Sequence, residues 1–561
     1  MLEPERVSDI VSQHDAYWDS RRSELRELRN LYMTRFWQDN ASTMLDGILR
    51  TEVPRAYAVV ESFLGSLFSK NPSVFVQPDL RARGNPEVAE ATANQYLLNV
   101  RAQLEDATRL ALIYPCSFVK LAPVESVDPL KRVSCSALPP WEVIVDATAS
   151  SWTQQRYVGH AFLMPLEEAV VRYGRGEEDF RPRVYAKWIE SADVGGKNQS
   201  LGLDTSSAAP TSEQWIRVVE LYDMINDKLL VWSEDYRGGK EFLFEGVRVQ
   251  VGALDEDAAA DAETPDVDLE HETTGIPYKN ASGSPVVPII PVFFSSDPDN
   301  PLRGYSLLHR SVDQFRELNV IRTYQAQGVR RMARQWMVRA GFLSPDAAAK
   351  ISQGLDGEFI EVDLPPGQSL DGNILPVPNA PIPADIQGYA LTVEADIRDA
   401  GLLAPFTRGE VTKSTATEQN LLAAYTSSEI GRMARIRDQA ITSVARTYNI
   451  MLSVVLGNDA EPLALPNPVG PTVLSADDLT GDFTYWAVDA GTTPMSDLAK
   501  QAALERLTPL LAQLGTPAEK LLAEIVRAYQ LPESFVAAPA PPAEPAPEQP
   551  ADAPLPFPTE V

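Results

Sequence analysis

Histidine and cysteine side chains are the most chemically versatile groups in this 561-residue chain, and their spacing limits the chemistry they could share. The histidines are His14, His160, His271 and His309, and the cysteines are Cys116 and Cys135. No histidine has a second His or Cys at the spacing of a metal site, so each is expected to be a surface or hydrogen-bonded structural residue. Two cysteines are too few for a disulfide scaffold. We expect two buried free thiols rather than a bridge or a metal site.

Sequence motifs of the common enzyme classes are absent. The nearest approach to a phosphate-binding loop, GGKNQS at 195–200, lacks the first glycine and the Ser or Thr after lysine. There is no G-x-S-x-G, H-E-x-x-H or C-x-x-C motif. Carboxylate pairs are uninformative in a chain with 78 acidic residues. The motifs therefore predict no enzyme, no cofactor and no metal, and they argue most strongly against a P-loop ATPase.

The charge balance is strongly acidic. There are 78 acidic and 49 basic residues, which gives a net charge of −29. Tight DNA binding needs a local excess of Lys and Arg, so most of this surface should repel DNA and let it slide past.

The segment MLEPERVSDIVSQHD lacks the apolar core of a signal peptide, and the longest apolar stretch, 286–294, is too short to span a membrane. We expect a soluble protein, made in a cytoplasm and without a membrane partner.

The elements that must position any site alternate between helix and strand in the first half. Length and a hydrophobic content of 44% predict two to four folded units. Apolar spacing predicts helices over 1–70, with a break or start at Pro54, and over 85–113 and 166–174. Strands are predicted at 73–78, within 115–165, and at 183–191, 215–225 and 228–235. Loops are expected at 192–213 and at 252–272, where nine acidic residues favour a solvated loop over a cation site.

Long helices dominate the second half. Apolar spacing predicts one helix from Ser306 to about Arg339, roughly 50 Å long, whose other face is rich in arginine. A Pro/Gly-rich insert covers 341–383, and a second helix begins near Ala384 and stops between 401 and 405. A polar loop, TRGEVTKSTATE at 407–418, precedes a third helix over 419–456. A strand at 482–488, helices at 495–514 and 517–530, and a disordered Pro/Ala/Glu tail at 536–561 complete the prediction.

This order of elements resembles the portal proteins of tailed double-stranded DNA bacteriophages. The segments that carry the resemblance are DNPLRGYSLLHRSVDQFRELNVIRTYQAQGVRRMARQ (299–335) and the stretch from QGYALTVEAD to ARTYNIM (387–451). Gly304-Tyr305-Ser306 is similar to the Gly-x-Ser segment that opens the first stem helix of the family. The segment from Thr415 to Gln419 is similar to the start of the family's wing helix. Three segments of the first half resemble the wing of the family: VPRAYAVVESFLGSLFSKNPSVFVQP (53–78), DATRLALIYPCSFVKLAP (106–123) and residues 138–174. Many relatives have a glycine where Pro115 or Cys116 stands, which is a local departure.

The resemblance covers roughly 50–530 and implies an α+β portal fold with a mixed α/β wing, a long-helix stem, a small α/β clip, a helical crown and a disordered C-terminal tail. It implies these boundaries: wing 1–305, first stem helix 306–340, clip 341–383, second stem helix 384–405, tunnel loop 406–418, long wing helix and connection 419–480, crown 481–535 and tail 536–561.

The function that the resemblance implies is non-enzymatic. It is a ring of twelve subunits at one capsid vertex, which forms the channel for DNA packaging and ejection. The implied partners are copies of the same chain, phage DNA without sequence specificity, the terminase motor, the head–tail adaptor and the major capsid protein. The implied location is the virion, after assembly in the host cytoplasm.

Two sets of site residues follow from the resemblance. The tunnel-loop candidates for contact with DNA are Arg408, Lys413, Thr415 and Thr417, and the alternative is an ordinary surface loop. The stem candidates are Arg316, Arg322, Arg330 and Arg334. These arginines either pair with acids of the neighbouring subunit, which we favour, or face the channel. Phosphate contacts from such residues would position DNA without specifying its sequence.

Two other classes of protein remain alternatives. The first is a different virion structural or connector protein, although adaptors are much shorter and scaffolds lack such a strand-rich half. The second is a metal-dependent DNA-processing enzyme, which would need clustered carboxylates that no helix face in 300–456 supplies.

Overall fold

The protein has an α+β fold, as the sequence predicts. The structure, a computed structural model, describes residues 2–39, 50–69, 71–79, 84–124, 126–182, 214–245, 247–248, 272–273, 275–295, 304–332, 336–338, 345, 374–376, 384–400, 416–457, 461–463, 472–479, 481 and 483–488. The chain divides into two compact units, one formed by Met1–Leu463 with Val473–Thr492 and one by Ala464–Thr472 with Thr493–Val561. Of the second unit, the structure describes Thr472 alone.

The helices and strands have the following bounds. The α-helices are α1 (Pro4–Tyr32), α2 (Phe36–Asp39), α3 (Arg55–Leu67), α4 (Pro86–Asn99), α5 (Arg101–Ile113), α6 (Leu166–Tyr173), α7 (Val312–Met332), α8 (Ala384–Ala400), α9 (Ala416–Leu456) and α10 (Ala476–Leu479). The strands are β1 (Ser73–Pro78), β2 (Ser117–Pro123), β3 (Val133–Leu138), β4 (Val143–Val145), β5 (Tyr157–Pro165), β6 (Trp215–Asp223), β7 (Lys228–Trp232), β8 (Phe242–Glu245), β9 (Val247–Arg248), β10 (Glu272–Thr273), β11 (Ile289–Val292), β12 (Trp336–Val338), β13 (Ile374–Pro376), β14 (Glu461–Leu463), β15 (Thr472–Leu474) and β16 (Phe483–Val488).

Eight strands between Ser117 and Val292 form two antiparallel sheets. One has the order β4-β5-β6-β7-β8 and the other the order β11-β2-β3. One face of the five-stranded sheet carries Ala161, Val219 and Leu221, which form a core with Val7 and Ile10 of α1. The other face forms a second core with α6 and its neighbours. The sheet is therefore covered on both faces, which explains why no residue of β6 or β7 is fully exposed.

Helix α9 is the central element of the helical layer. It packs against α3, α4, β2 and β16. The helix buries a stripe with helical spacing, formed by Met433, Ala440, Val444, Tyr448, Met451 and Val455. The Tyr448 ring stacks on Tyr96 of α4 with the ring centroids 3.7 Å apart. The apolar face predicted from the sequence for this helix is thus confirmed, except that Ile436 is only half-buried.

Strand β16 corrects the predicted division of the chain. The boundaries expected from the sequence place residues 481–535 together as a crown. The structure instead pairs β16 with β1 over six residues, from Ser73 opposite Val488 to Pro78 opposite Phe483. A six-residue apolar strand needs a hydrogen-bonding partner, and nothing local in the sequence identifies a strand that lies so far away.

The first long helix is shorter than predicted. It begins at Val312 after a 3-10 turn over Leu308–Ser311 and ends at Met332, so that it spans roughly 30 Å rather than 50 Å. Trp336–Val338, assigned above to the helix, form β12, which pairs with β13. Three consecutive apolar residues fit a short strand as well as a helix, and periodicity alone does not separate the two. The base of the Pro/Gly-rich insert therefore begins before 341.

Other boundaries move by a few residues. The helix predicted over 85–113 is divided at Val100 into α4 and α5. Helix α8 ends at Ala400, and α9 begins at Ala416, within the predicted loop. The start at Pro54 and the strands 73–78, 215–223 and 228–232 agree with the prediction. Several predicted segments lie outside the described residues: the strand at 183–191, the loop at 192–213, the helices at 495–514 and 517–530, and the tail at 536–561. Of the loop predicted at 252–272, only Glu272 is described, and it belongs to β10.

Candidate functional site

The entry to α7 is built by the Gly-Tyr-Ser segment. A methyl group on Gly304 would collide with the carbonyl oxygens of Ser295 and Pro115, so only glycine fits there. The Ser306 hydroxyl accepts a hydrogen bond from the Leu308 amide at 3.0 Å and donates one to the Leu112 carbonyl at 3.3 Å. The glycine thus allows two chain segments to meet closely, and the serine caps the turn that leads into the helix.

The middle of α7 is hydrogen-bonded to the segment that leads into α3. The buried Asn319 carboxamide oxygen accepts from the Val53 amide at 2.8 Å, and its nitrogen donates to the Phe315 carbonyl at 2.9 Å. The Thr323 hydroxyl accepts from the amide of Thr51 and donates to its carbonyl. Asn319 and Thr323 thus satisfy backbone groups of Thr51 and Val53, which lie outside any strand or helix.

Helix α8 packs against α7 through a face with helical spacing. Ala390, Val393 and Ile397 are buried, and so is Glu394. The Glu394 carboxylate accepts hydrogen bonds from Arg322 of α7 at 2.7 Å and from Arg55 of α3 at 3.0 Å. Burial opposes ionisation of Glu394, but the hydrogen bond from Arg322 and the charges of both arginines outweigh it, so the pKa of Glu394 lies below its usual value. The glutamate therefore stays ionised and joins three helices.

The stem arginines predicted from the sequence pair within the chain where they are described. Arg316 forms a bidentate pair with Glu27 of α1 and a second pair with Asp313 at 2.8 Å. Arg322 pairs with Glu394 at 2.7 Å. Both arginines thus pair with carboxylates of the same chain, whereas the sequence favoured pairing with carboxylates of the neighbouring subunit. Arg330 lies on α7 but its side chain is not among those described, and Arg334 lies outside the described residues.

The tunnel-loop candidates fall mostly beyond the described part. Arg408, Lys413 and Thr415 lie outside the described residues. Thr417 is the second residue of α9, so it belongs to a helix rather than to a loop. The grouping of these four residues in one loop thus stays a prediction, apart from the helical position of Thr417.

A second group of residues lies between the two sheets and was not identified from the sequence. The Lys120 ammonium on β2 donates to Glu220 on β6 at 2.5 Å and to Nδ1 of His160 on β5 at 2.8 Å. Because an ammonium only donates, Nδ1 must accept and the proton of the ring resides on Nε2. Burial and the Lys120 charge hold the pKa of His160 well below its usual value, so the ring is neutral.

This group borders a cavity of about 260 Å³, whose walls include Phe162, Tyr173, Tyr222 and Tyr278. Nε2 of His160 has no hydrogen-bond partner among the described residues, and the nearest carboxylate, that of Glu142, is 4.0 Å away. Burial raises the pKa of Glu142 to about 8. The group joins two sheets through one buried cation. The sequence points to this group only through Lys120, a charged residue at an inward position of the apolar strand β2.

The remaining histidines and the cysteines behave largely as expected. Nε2 of His14 bonds the Trp141 carbonyl at 2.9 Å, and His309 is half-exposed, 3.4 Å from Glu24. His271 lies outside the described residues. Cys116 and Cys135 are free thiols, as predicted, although Cys135 is only half-buried.

The described part of the chain has neither a metal-site cluster nor a membrane-spanning helix. No group of three His, Cys, Asp or Glu side chains with metal-site geometry occurs within the described ranges. None of the helices described above combines the length and apolarity of a membrane span. In comparisons with known proteins, no family model and no curated protein matches the chain.

Proposed function

We propose that this chain is the portal protein of a tailed double-stranded DNA bacteriophage. In this proposal, twelve copies form a ring at one capsid vertex, and the ring is the channel for DNA packaging and ejection. Each copy contributes the α7–α8 pair to a stem around the channel. The portal fold, with its wing, stem, clip and crown, is part of the same proposal.

The observation that carries the proposal is the way the chain leaves and re-enters the α7–α8 pair. Four residues after α7 ends, β12 begins and pairs with β13, which in turn precedes α8 by eight residues. The pairing of β12 with β13 brings the two ends of the insert together at its base, between α7 and α8 in the chain. A 41-residue helix, α9, follows α8. Stem helix, projecting clip, return helix and long wing helix occur in this order in the portal family.

Charge supports the same proposal. A net charge of −29 opposes tight binding of DNA over most of the surface, as a channel through which DNA slides requires. The insert would dock the terminase motor during packaging and the head–tail adaptor afterwards. The wing would meet the major capsid protein, which places the ring in the virion.

The test is negative-stain microscopy of the purified chain together with mass photometry. Rings with a central hole and a mass near twelve copies support the proposal. A compact monomer or small oligomer under several salt conditions contradicts it. Cleavage of plasmid DNA that depends on added Mg²⁺ would instead favour a DNA-processing enzyme.

A further inference from the structure

Helix α8 leaves large apolar side chains uncovered on both sides of the face that packs on α7. Leu391 is 62% exposed and Tyr389 is 48% exposed. With about 100° per residue, these two positions lie on opposite sides of Ala390, which is buried against α7. A single α7–α8 pair therefore exposes two separate apolar flanks, which we call the Tyr389 flank and the Leu391 flank.

The Tyr389 flank is acidic. Asp385 and Asp396 lie on the same side of α8 as Tyr389, and both are exposed. The Tyr389 hydroxyl donates a hydrogen bond to the exposed carboxylate of Glu317 on α7. Within the described part of the chain, no Lys or Arg forms an ion pair with these three carboxylates. This flank therefore carries three negative charges around one aromatic ring.

The Leu391 flank is basic. Glu394 and Arg398 lie on the same side of α8 as Leu391. Arg55 and Arg322 bond the Glu394 carboxylate, and Arg398 bonds its backbone carbonyl at 3.1 Å. Three arginines thus surround one carboxylate, and the side chains of Arg55 and Arg322 remain 44% and 42% exposed. Among the described side chains of this flank, positive charges therefore outnumber negative ones by two.

We propose that the Tyr389 flank of one copy packs against the Leu391 flank of the next copy. The proposal rests on the ring of the proposed function and names the two surfaces that close it. A ring needs two different, complementary patches on each subunit, whereas a two-fold dimer places each patch against itself. Opposite charges on opposite flanks favour the first arrangement. In a two-fold contact the acidic flank would face an acidic flank, which is repulsive.

A charge-swap experiment with two variants tests the pairing. The first variant, Asp385→Lys with Asp396→Lys, makes both flanks basic. The second, Arg55→Glu with Arg398→Glu, makes both flanks acidic and leaves the Arg322–Glu394 pair in place. Each variant alone should form rings at least about tenfold less than the natural chain, because like charges then meet at every contact. An equimolar mixture should recover rings, with the two variants alternating.

The control variant, Glu167→Lys with Glu177→Lys, makes the same change in net charge as the first variant, at exposed positions of α6 and the turn after it. It should form rings as the natural chain does. If either charge-swapped variant alone forms rings at the natural level, or if the mixture does not recover them, the pairing of flanks is wrong. If the natural chain forms no ring, the proposed function itself fails, which is a separate result.

Discussion

Thr323 forms two hydrogen bonds with the backbone of Thr51, although the two residues are 272 positions apart in the sequence. Its hydroxyl accepts from the Thr51 amide at 3.0 Å and donates to the Thr51 carbonyl at 3.1 Å. Thr323 is fully buried. One side chain thus replaces a strand partner for the segment before α3, and it fixes α7 to the N-terminal part of the chain.

Replacing this hydroxyl should destabilise the protein. Thr323→Val keeps the shape of the side chain but leaves the amide and carbonyl of Thr51 without partners. We expect a loss of about 1–3 kcal/mol in the free energy of unfolding, measured by chemical denaturation. Thr392→Val is the control, because the exposed Thr392 bonds only the Gly388 carbonyl of its own helix. It should change the stability by less than about 0.5 kcal/mol. Equal effects of the two substitutions would contradict the structural role of Thr323.

Stability should depend on pH through Glu394. The pKa of Glu394 is below its usual value in the folded chain. Its contribution is therefore complete above the unfolded pKa, near 4.5, and is lost as the pH falls through the folded pKa. Glu394→Gln should cost about 1 kcal/mol at neutral pH, a modest value because both arginines are partly exposed. The difference between the two proteins should shrink as the pH falls below about 4.5 and through the lower pKa of the folded chain. A difference that stays constant over this range would refute the assigned ion pairs.

Two glycines should respond in opposite ways to alanine. Gly304→Ala places a methyl group against two backbone carbonyl oxygens, which cannot move aside cheaply. We expect a loss of about 3 kcal/mol, measured by thermal unfolding. Gly388→Ala should instead stabilise the protein by up to about 1 kcal/mol, because nothing lies near its added methyl group and alanine favours a helix. If Gly304→Ala left the stability unchanged, the backbone at Gly304 would not lie against Ser295 and Pro115.

The two thiols should react slowly in the native protein. Cys116 is buried, and burial raises the pKa of Cys135 to about 12. At pH 8 only about one Cys135 side chain in 10⁴ is then a thiolate, which is the reactive form. A thiol reagent such as DTNB should detect no fast-reacting group before unfolding and two after it. A fast-reacting thiol in the native protein would contradict the burial of Cys116 or the raised pKa of Cys135.

The tunnel-loop cations should affect DNA binding but not ring formation. Within the proposed function, Arg408→Ala with Lys413→Ala should leave ring formation unchanged. It should lower the dependence of duplex DNA binding on salt, with the slope of log K against log salt falling by about 1 or more. The control, Lys131→Ala with Lys240→Ala, removes the same charge from exposed positions of the first half. Equal slopes for the two variants would count against contact between the loop and DNA.

The elements that the sequence predicts correctly are those defined by patterns of neighbouring residues. The strand SVFVQP, the helix start after Pro54 and the stripe of α9 follow from residue types and spacing within one continuous segment each. The pairing of β16 with β1 and the contact of Lys120 with Glu220 depend on residues far apart, and no short pattern contains them. Arg322 is a similar case. Its place on the charged face of a helix is predictable, whereas its partner Glu394 is defined only when α8 returns along α7.

The pairing of β1 with β16 also sets the order of events during synthesis. The partner of Ser73 is Val488, so more than four hundred residues must be made before β1 can be paired. At roughly 5–20 residues per second, β1 waits roughly 20–80 s as an unpaired strand while the ribosome completes the chain. An unpaired strand edge is a template for incorrect association. A nascent or truncated chain that ends before 483 therefore exposes this edge, and the first unit becomes complete only when nearly the whole chain has been made.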